Sequence, residues 1–330
     1  MPGQRGRLNP PKPRLWVQMG SWWSATLVIV GLMLVLGEVL RRGEVIFPEG
    51  AALAFGVIGL RTPGWRRSPL AIALLPLAGA SFGVMMVHLG GPRWAAEVAA
   101  MSAALVLLIA ARSELTPVIS AALFPVIFGV SSWLFPVSVA VLGGTVALIA
   151  RATQGRRMAS AEIRRKGLPT RAVLGAWTLF AVLLSAGGLI GGLPTALMAP
   201  PLFVAAIGQL VPEGYSRARV ARQWAVLVAA AAVGVAASRL VHPPWVGGLL
   251  AVAITIAVFA VTATPHSPAL AVCLIPQAVV VARPAQFVGA IAAGAAILSL
   301  AVYGMRPLVA GPFRGGDLSW AATVLRRRTE

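Results

Sequence analysis

The chain has 330 residues, of which 58% are hydrophobic and 11% charged, yet 28 Lys and Arg against 9 Asp and Glu leave a formal net charge of +19. Soluble domains are about one quarter charged, so this composition, with a mean hydropathy of +0.85, excludes a soluble globular protein; intrinsic disorder is excluded too, because disordered chains are poor in apolar residues. A nucleic-acid binder would gather its basic residues into one polar patch, whereas these fall between long apolar runs.

A bilayer core about 30 Å thick takes roughly 20 apolar residues in a helix. Against that length twelve segments emerge, at about 22–40, 45–60, 69–88, 94–111, 115–131, 133–150, 173–191, 195–210, 223–240, 245–263, 267–282 and 285–304. The expected fold is all-α: a polytopic transmembrane bundle of about twelve helices. Residues 1–21 form a basic leader with Arg5, Arg7, Lys12 and Arg14. No small-residue cleavage site follows and the apolar stretch is too long for a signal peptide, so a retained first helix is expected, anchored at Trp22 and Trp23. The segments at 45–60, 115–131, 195–210 and 267–282 are short, and are expected to tilt little, break, or re-enter.

Twelve crossings place alternate loops on opposite faces. One face then collects 23 of the 28 Lys and Arg, and the other keeps Arg41, Arg42, Arg93, Arg239 and Arg283. Short cytoplasmic loops carry the Lys and Arg excess, so both termini are expected in the cytoplasm and the protein in the plasma (inner) membrane. On the basic face, Arg66, Arg67, Arg112, Arg217 and Arg219 are candidate contacts for anions or lipid headgroups.

The second half of the chain reads like the first displaced by about 151 residues: Trp94 falls on Trp245, Pro92 on Pro243, Pro117 on Pro268 and Pro125 on Pro276. Two tandem six-helix repeats in parallel orientation follow, at 22–150 and 173–304, joined by a basic linker at 151–172 and followed by a basic tail at 305–330. An even number of spans per unit relates the repeats by an axis along the membrane normal, as in the halves of some transporters.

The most informative repeated element is Thr116-Pro117 followed by Pro125, mirrored by Ser267-Pro268 followed by Pro276. Proline after a Ser or Thr starts a helix well, and a second proline removes a backbone bond and kinks it. Broken helices in membranes expose N–H groups to anions and often mark binding sites; the plainer reading is a pair of packing kinks. His266 precedes Ser267-Pro268 and is a candidate proton-linked switch or anion contact. His88 and His242 read as interfacial, as do Glu38, Glu49, Glu97 and Glu114. No histidines stand at metal-ligand spacing, so no metal is expected. The single Cys273 reads as a small buried hydrophobe, and Gly143-Gly144 and Gly191-Gly192 as close helix packing. No phosphate loop, dinucleotide fingerprint or paired nucleophile and base is visible, so neither an enzyme nor a cofactor is expected.

Each half resembles one unit of the HPP family of integral membrane proteins, named for a His-Pro-Pro motif. Ala199-Pro200-Pro201 and the run to Leu210 resemble the family's Ala-Pro-Phe-Gly opening, Arg217 to Arg222 its Pro-Arg stretch, and His266-Ser267-Pro268 falls where its motif belongs. Phe47-Pro48-Glu49-Gly50-Ala51 and Leu115-Thr116-Pro117 carry the likeness in the first half, with Leu115 in place of the histidine. A literal His242-Pro243-Pro244 is also present, but spacing from the opening favours His266. Plant and cyanobacterial members are linked to nitrite transport, so the resemblance implies a small anion such as nitrite or nitrate. A similar pattern of apolar six-span units and Arg-rich segments occurs in the fusaric acid resistance family, which implies an exporter of aromatic or organic acids. The reading is a transporter or channel for a small solute, with a pathway lined by residues 116–125 and 267–276; a non-transporting membrane scaffold is the alternative from another class. The expected partners are the lipid bilayer and a small-molecule or ion solute, with no nucleic acid; self-association into a homo-oligomer stays open.

Overall fold

The computed structural model describes residues 14–65, 68–154, 170–190, 195–210 and 216–310. Arg66, Arg67, Gly191-Gly192, most of the basic linker and the chain after 310 lie outside the described residues. Twelve helices and no strand are found among those described. Eight are long: α1 (Arg14–Val39), α3 (Pro69–Leu89), α4 (Arg93–Ala110), α6 (Leu134–Gln154), α7 (Thr170–Ile190), α9 (Arg217–Leu240), α10 (Pro244–Thr262) and α12 (Pro284–Ala310). Four are short: α2 (Pro48–Ala54), which continues as a π turn to Gly59, α5 (Pro117–Phe128), α8 (Pro200–Leu210) and α11 (Ser267–Ala278).

Six helices, α3, α4, α6, α9, α10 and α12, are long and apolar enough to cross a membrane, and the bundle fits a membrane protein. α1 and α7 have 26 and 21 residues. α1 starts eight residues before the apolar run, at the first position after Pro13, because nothing between Arg14 and Trp22 breaks a helix.

The short helices are the four segments that fell short by length. Twelve residues of helix rise about 18 Å, little more than half of a hydrocarbon core, so α5 and α11 do not reach across as helices. Non-helical backbone flanks each of them. They are also the most enclosed elements: α5 is buried from Pro117 to Ile127, α2 from Pro48 to Ala54, α11 from Pro268 to Ile275, and α8 at every residue except Gly208. They form an inner layer inside a ring of long helices, whose outer faces show Leu70, Leu148, Val261 and Leu300 to the surroundings. Irregular backbone at membrane depth is tolerated only where protein or a cavity surrounds it, and this layering supplies that cover.

The two halves interlock. α1 packs on α10 while α7 packs on α4; α2 packs on α11 while α8 packs on α5. Within the first half α3 packs on α4, α5 and α6, and within the second α9 packs on α10, α11 and α12. Finer features recur at the 151-residue offset. A Cβ on Gly83 of α3 would collide with the Ala122 carbonyl oxygen of α5, and one on Gly234 of α9 with the Cys273 carbonyl oxygen of α11. Only glycine lets the backbones approach so closely. The residues that turn the chain after α4 and α10, Arg112 and Ala263, are both left-handed, with φ of 47° and 48°. α3 and α9 each begin on a serine: Ser68 Oγ accepts from the Ala71 amide at 3.3 Å, and Ser216 Oγ from the Arg219 amide at 3.1 Å.

Candidate functional site

Thr116, His266, Ser267 and Pro268 come from opposite halves of the chain and meet at one cavity of about 230 Å³. It lies at the end of the bundle where α5 and α11 begin; Trp65, Glu114, Gln223 and the α8 residues Val204, Ala205, Ile207 and Gly208 complete its lining.

Both approaches to it are built alike. After the left-handed Arg112, Ser113 Oγ accepts from the Leu115 amide at 3.2 Å; after the left-handed Ala263, Thr264 Oγ1 donates to the Thr262 carbonyl at 3.0 Å. A proline then stands in the first turn of each helix. The first-turn amides are largely occupied: Val118 donates to Leu115, Ile119 to Thr116 and Ala269 to His266, all at 3.0 to 3.1 Å, and Pro117 and Pro268 have no N–H. The expectation that these breaks expose backbone N–H groups is corrected accordingly, because tight i to i−3 turns consume them. What faces the cavity is side-chain chemistry. Thr116, the N-cap of α5, makes no side-chain capping bond, Ser267 is the first residue of α11, and both residues line the cavity. His266 is 6% exposed and its Nε2 has no hydrogen-bond partner. Two helix N-termini, each a partial positive charge, stand behind these groups.

A second cavity, of about 710 Å³, opens at the other ends of the same two helices, between residues 126–129 at the end of α5 and 279–283 after α11, with Arg93 and Gln286 on its wall. Arg93 Nη2 donates to the Ile127 carbonyl at 2.6 Å and its Nε to Glu97 Oε1 at 2.9 Å, a cation on the carbonyl-rich end of a helix. Two clamps hold the chain after each short helix: His88 Nε2 donates to the Ser131 carbonyl at 2.8 Å and Arg239 Nη2 to the Val281 carbonyl at 2.7 Å. His88 and Arg239 are 151 residues apart, so the repeat itself could have revealed this pairing, although the residue types differ. Replacing Arg93 with alanine leaves Glu97, 5% exposed, as an uncompensated carboxylate. Arg93→Ala is expected to destabilise by about 2 to 3 kcal/mol, below the full buried-pair figure because Arg93 is half exposed, and by more than Glu97→Gln; thermal denaturation in detergent checks the order.

Other sequence candidates lie elsewhere. Pro125 and Pro276 fall within the last turn of their helices, so they help end the helix rather than kink its middle. Arg112, Arg217 and Arg219 are exposed and do not line the cavity; Arg217 Nη2 donates to the Tyr303 hydroxyl at 2.6 Å and its guanidinium lies 5.2 Å from that ring's centroid. His242, Pro243 and Pro244 are exposed in the short α9–α10 connection, at the opposite end of the bundle from His266. Glu49 and Glu97 are enclosed by protein: Glu49 is 1% exposed with no hydrogen-bond partner on either oxygen, and Glu97 is buried against Arg93. The cavity residues Trp65 and Gln223 were not among the candidates; nothing in their local sequence marks them.

No protein-family model, curated protein or solved structure matches the chain.

Proposed function

We propose that the chain is a multi-pass membrane transporter or channel for a small solute, with a small inorganic anion such as nitrite or nitrate as its substrate class. The observation that carries this reading is the pair of short helices, one from each half, that begin together at one cavity and end together at another. A solute moving between the cavities passes along α5 and α11, through the inner layer of short helices.

The cavity at Thr116 and Ser267 is about 230 Å³, below the roughly 300–1,000 Å³ of pockets that enclose drug-sized ligands, and so suits a small solute. Its hydroxyls, the His266 ring and the Gln223 amide supply donors to an oxyanion, and the helix N-termini add partial positive charge behind them. The likeness to the HPP family supports the same class, since His266, the residue matched to the family motif, lines the cavity.

In this reading the protein is two duplicated six-helix units in parallel orientation, a relation supported by the exchanged packing of α1 on α10 and α7 on α4 and by the matched Gly83 and Gly234 crossings. The uneven Lys and Arg distribution supports cytoplasmic termini and a plasma membrane location, and we assign the chain no catalytic step and no cofactor. The test is flux into proteoliposomes. Nitrate or nitrite accumulating above protein-free liposomes, unaffected by an aromatic acid, agrees with the proposal. Flux of the aromatic acid in place of the inorganic anion favours the exporter reading, and no flux with a stably co-purifying protein favours a scaffold.

A further inference from the structure

We propose that Glu49 is a proton-carrying site: its carboxyl holds a proton in the closed core and exchanges it with water when the solute pathway opens. This rests on the transport reading above and adds the coupling ion to it.

Glu49 is the second residue of α2, after Pro48. Its oxygens are enclosed and without a hydrogen-bond partner, and the neighbouring Ser120 hydroxyl of α5 is likewise enclosed and unpartnered. The Ser120 hydroxyl and the backbone amide of Glu49 are the polar groups beside the carboxyl. An ionised carboxylate so placed loses its hydration and gains only these two neutral neighbours, which do not offset the loss, so the group carries a proton instead. Among the described side chains no neighbouring cation offsets this. The elements packed on α2 carry few titratable groups. α1 has Glu38 and α6 has Arg151, both exposed at helix ends. The 43–45 turn has Glu44, with one enclosed and unpartnered oxygen. α11 has Cys273, whose thiol donates to the Leu270 carbonyl at 3.2 Å, and His266 just before its first turn; α5 has none. A metal cation needs several oxygen ligands, and here a single hydroxyl stands beside the carboxyl.

Placement links the group to the pathway. α2 packs on both α5 and α11, the helices that run between the two cavities, while neither cavity reaches Glu49. In this proposal the movement that joins the cavities along α5 parts Ser120 from Glu49 and admits water. The step is a dissociation of one O–H bond, carboxyl to carboxylate plus a proton released to that water, reversed on closing. Carboxyls enclosed in membrane bundles are expensive to place and mark proton relays.

The test uses the full chain in liposomes with two readouts. Infrared difference spectra of wild type against Glu49→Gln report the protonated carboxyl directly and need no solute. Nitrate uptake, driven by an imposed pH gradient or measured as exchange at equal pH, reports coupling. A protonated-carboxyl band at neutral pH in wild type that vanishes in E49Q is expected. The pH-gradient stimulation of uptake should fall about tenfold or more in E49Q, while equal-pH exchange stays within about twofold. Ser120→Ala, which keeps the carboxyl, should keep the band and shift its frequency. Absence of the band in folded wild type overturns the inference, as does E49Q uptake that still follows the pH gradient. A band in wild type with no nitrate flux under any condition overturns the nitrate reading and leaves the protonated carboxyl standing.

Discussion

Leucine at both Thr116 and Ser267 is expected to lower solute flux at least about tenfold while leaving the bundle folded, equivalent to about 1.4 kcal/mol or more added to the permeation barrier. The two residues come from opposite halves of the chain and line one cavity of about 230 Å³, so two isobutyl groups fill much of its volume and remove both hydroxyls. Folding is spared because Thr116 makes no capping bond and both residues border space empty of protein. Each single substitution is expected to give a smaller loss, because one side of the cavity keeps its donor. Flux into proteoliposomes, normalised to folded protein by size exclusion, checks the double variant. Loss of helical structure would mark a folding defect; unchanged flux in folded protein would remove the cavity from the pathway.

Valine at Gly234 is expected to be the most damaging single substitution for stability, at about 3 kcal/mol or more, the upper end for overpacking a close contact. A Cβ there meets the backbone carbonyl of Cys273, and backbone cannot rotate away as a side chain can. α11 cannot retreat either, since it is buried on its other faces by α2, α8 and α10. Gly83→Val, at the matched crossing of α3 on Ala122, is expected to cost a similar amount. Gly144→Val, with open space around the added atoms, serves as the control. Thermal denaturation in one detergent ranks them: Gly234 and Gly83 variants far below wild type, the Gly144 variant close to it.

The architecture was legible where apolar length and proline placement govern it. Four segments too short to span became four short helices, and Thr116-Pro117 and Ser267-Pro268 each start one of them. Enclosure by protein was not legible. Glu49 stands near the beginning of its apolar segment, which reads as interfacial, but α2 is a short helix packed among α1, α5, α6 and α11, so its second residue is already covered by protein. Hydrogen-bond use was equally hidden: a proline at a helix start says that one N–H is missing, not that tight turns will occupy the next ones. The His242-Pro243-Pro244 tripeptide shows that a short motif in sequence carries no information about which end of a bundle it reaches. Cross-pairing of the halves, α2 on α11 and α8 on α5, depends on tertiary packing that no periodicity encodes.

One measurement tests the central claim, that solute passes between the two cavities along α5 and α11. Cys273 is the chain's one cysteine and is fully buried, so Cys273→Ala gives a thiol-free background in which Ser267→Cys and Val280→Cys each place a single thiol, one at each cavity. Nitrate flux is followed in proteoliposomes of fixed orientation before and after a membrane-impermeant thiol reagent. The account predicts that the thiol at 267 reacts from the basic side only and the thiol at 280 from the opposite side only, and that modification at 267 stops flux. Complete modification at 267 with flux unchanged would contradict it.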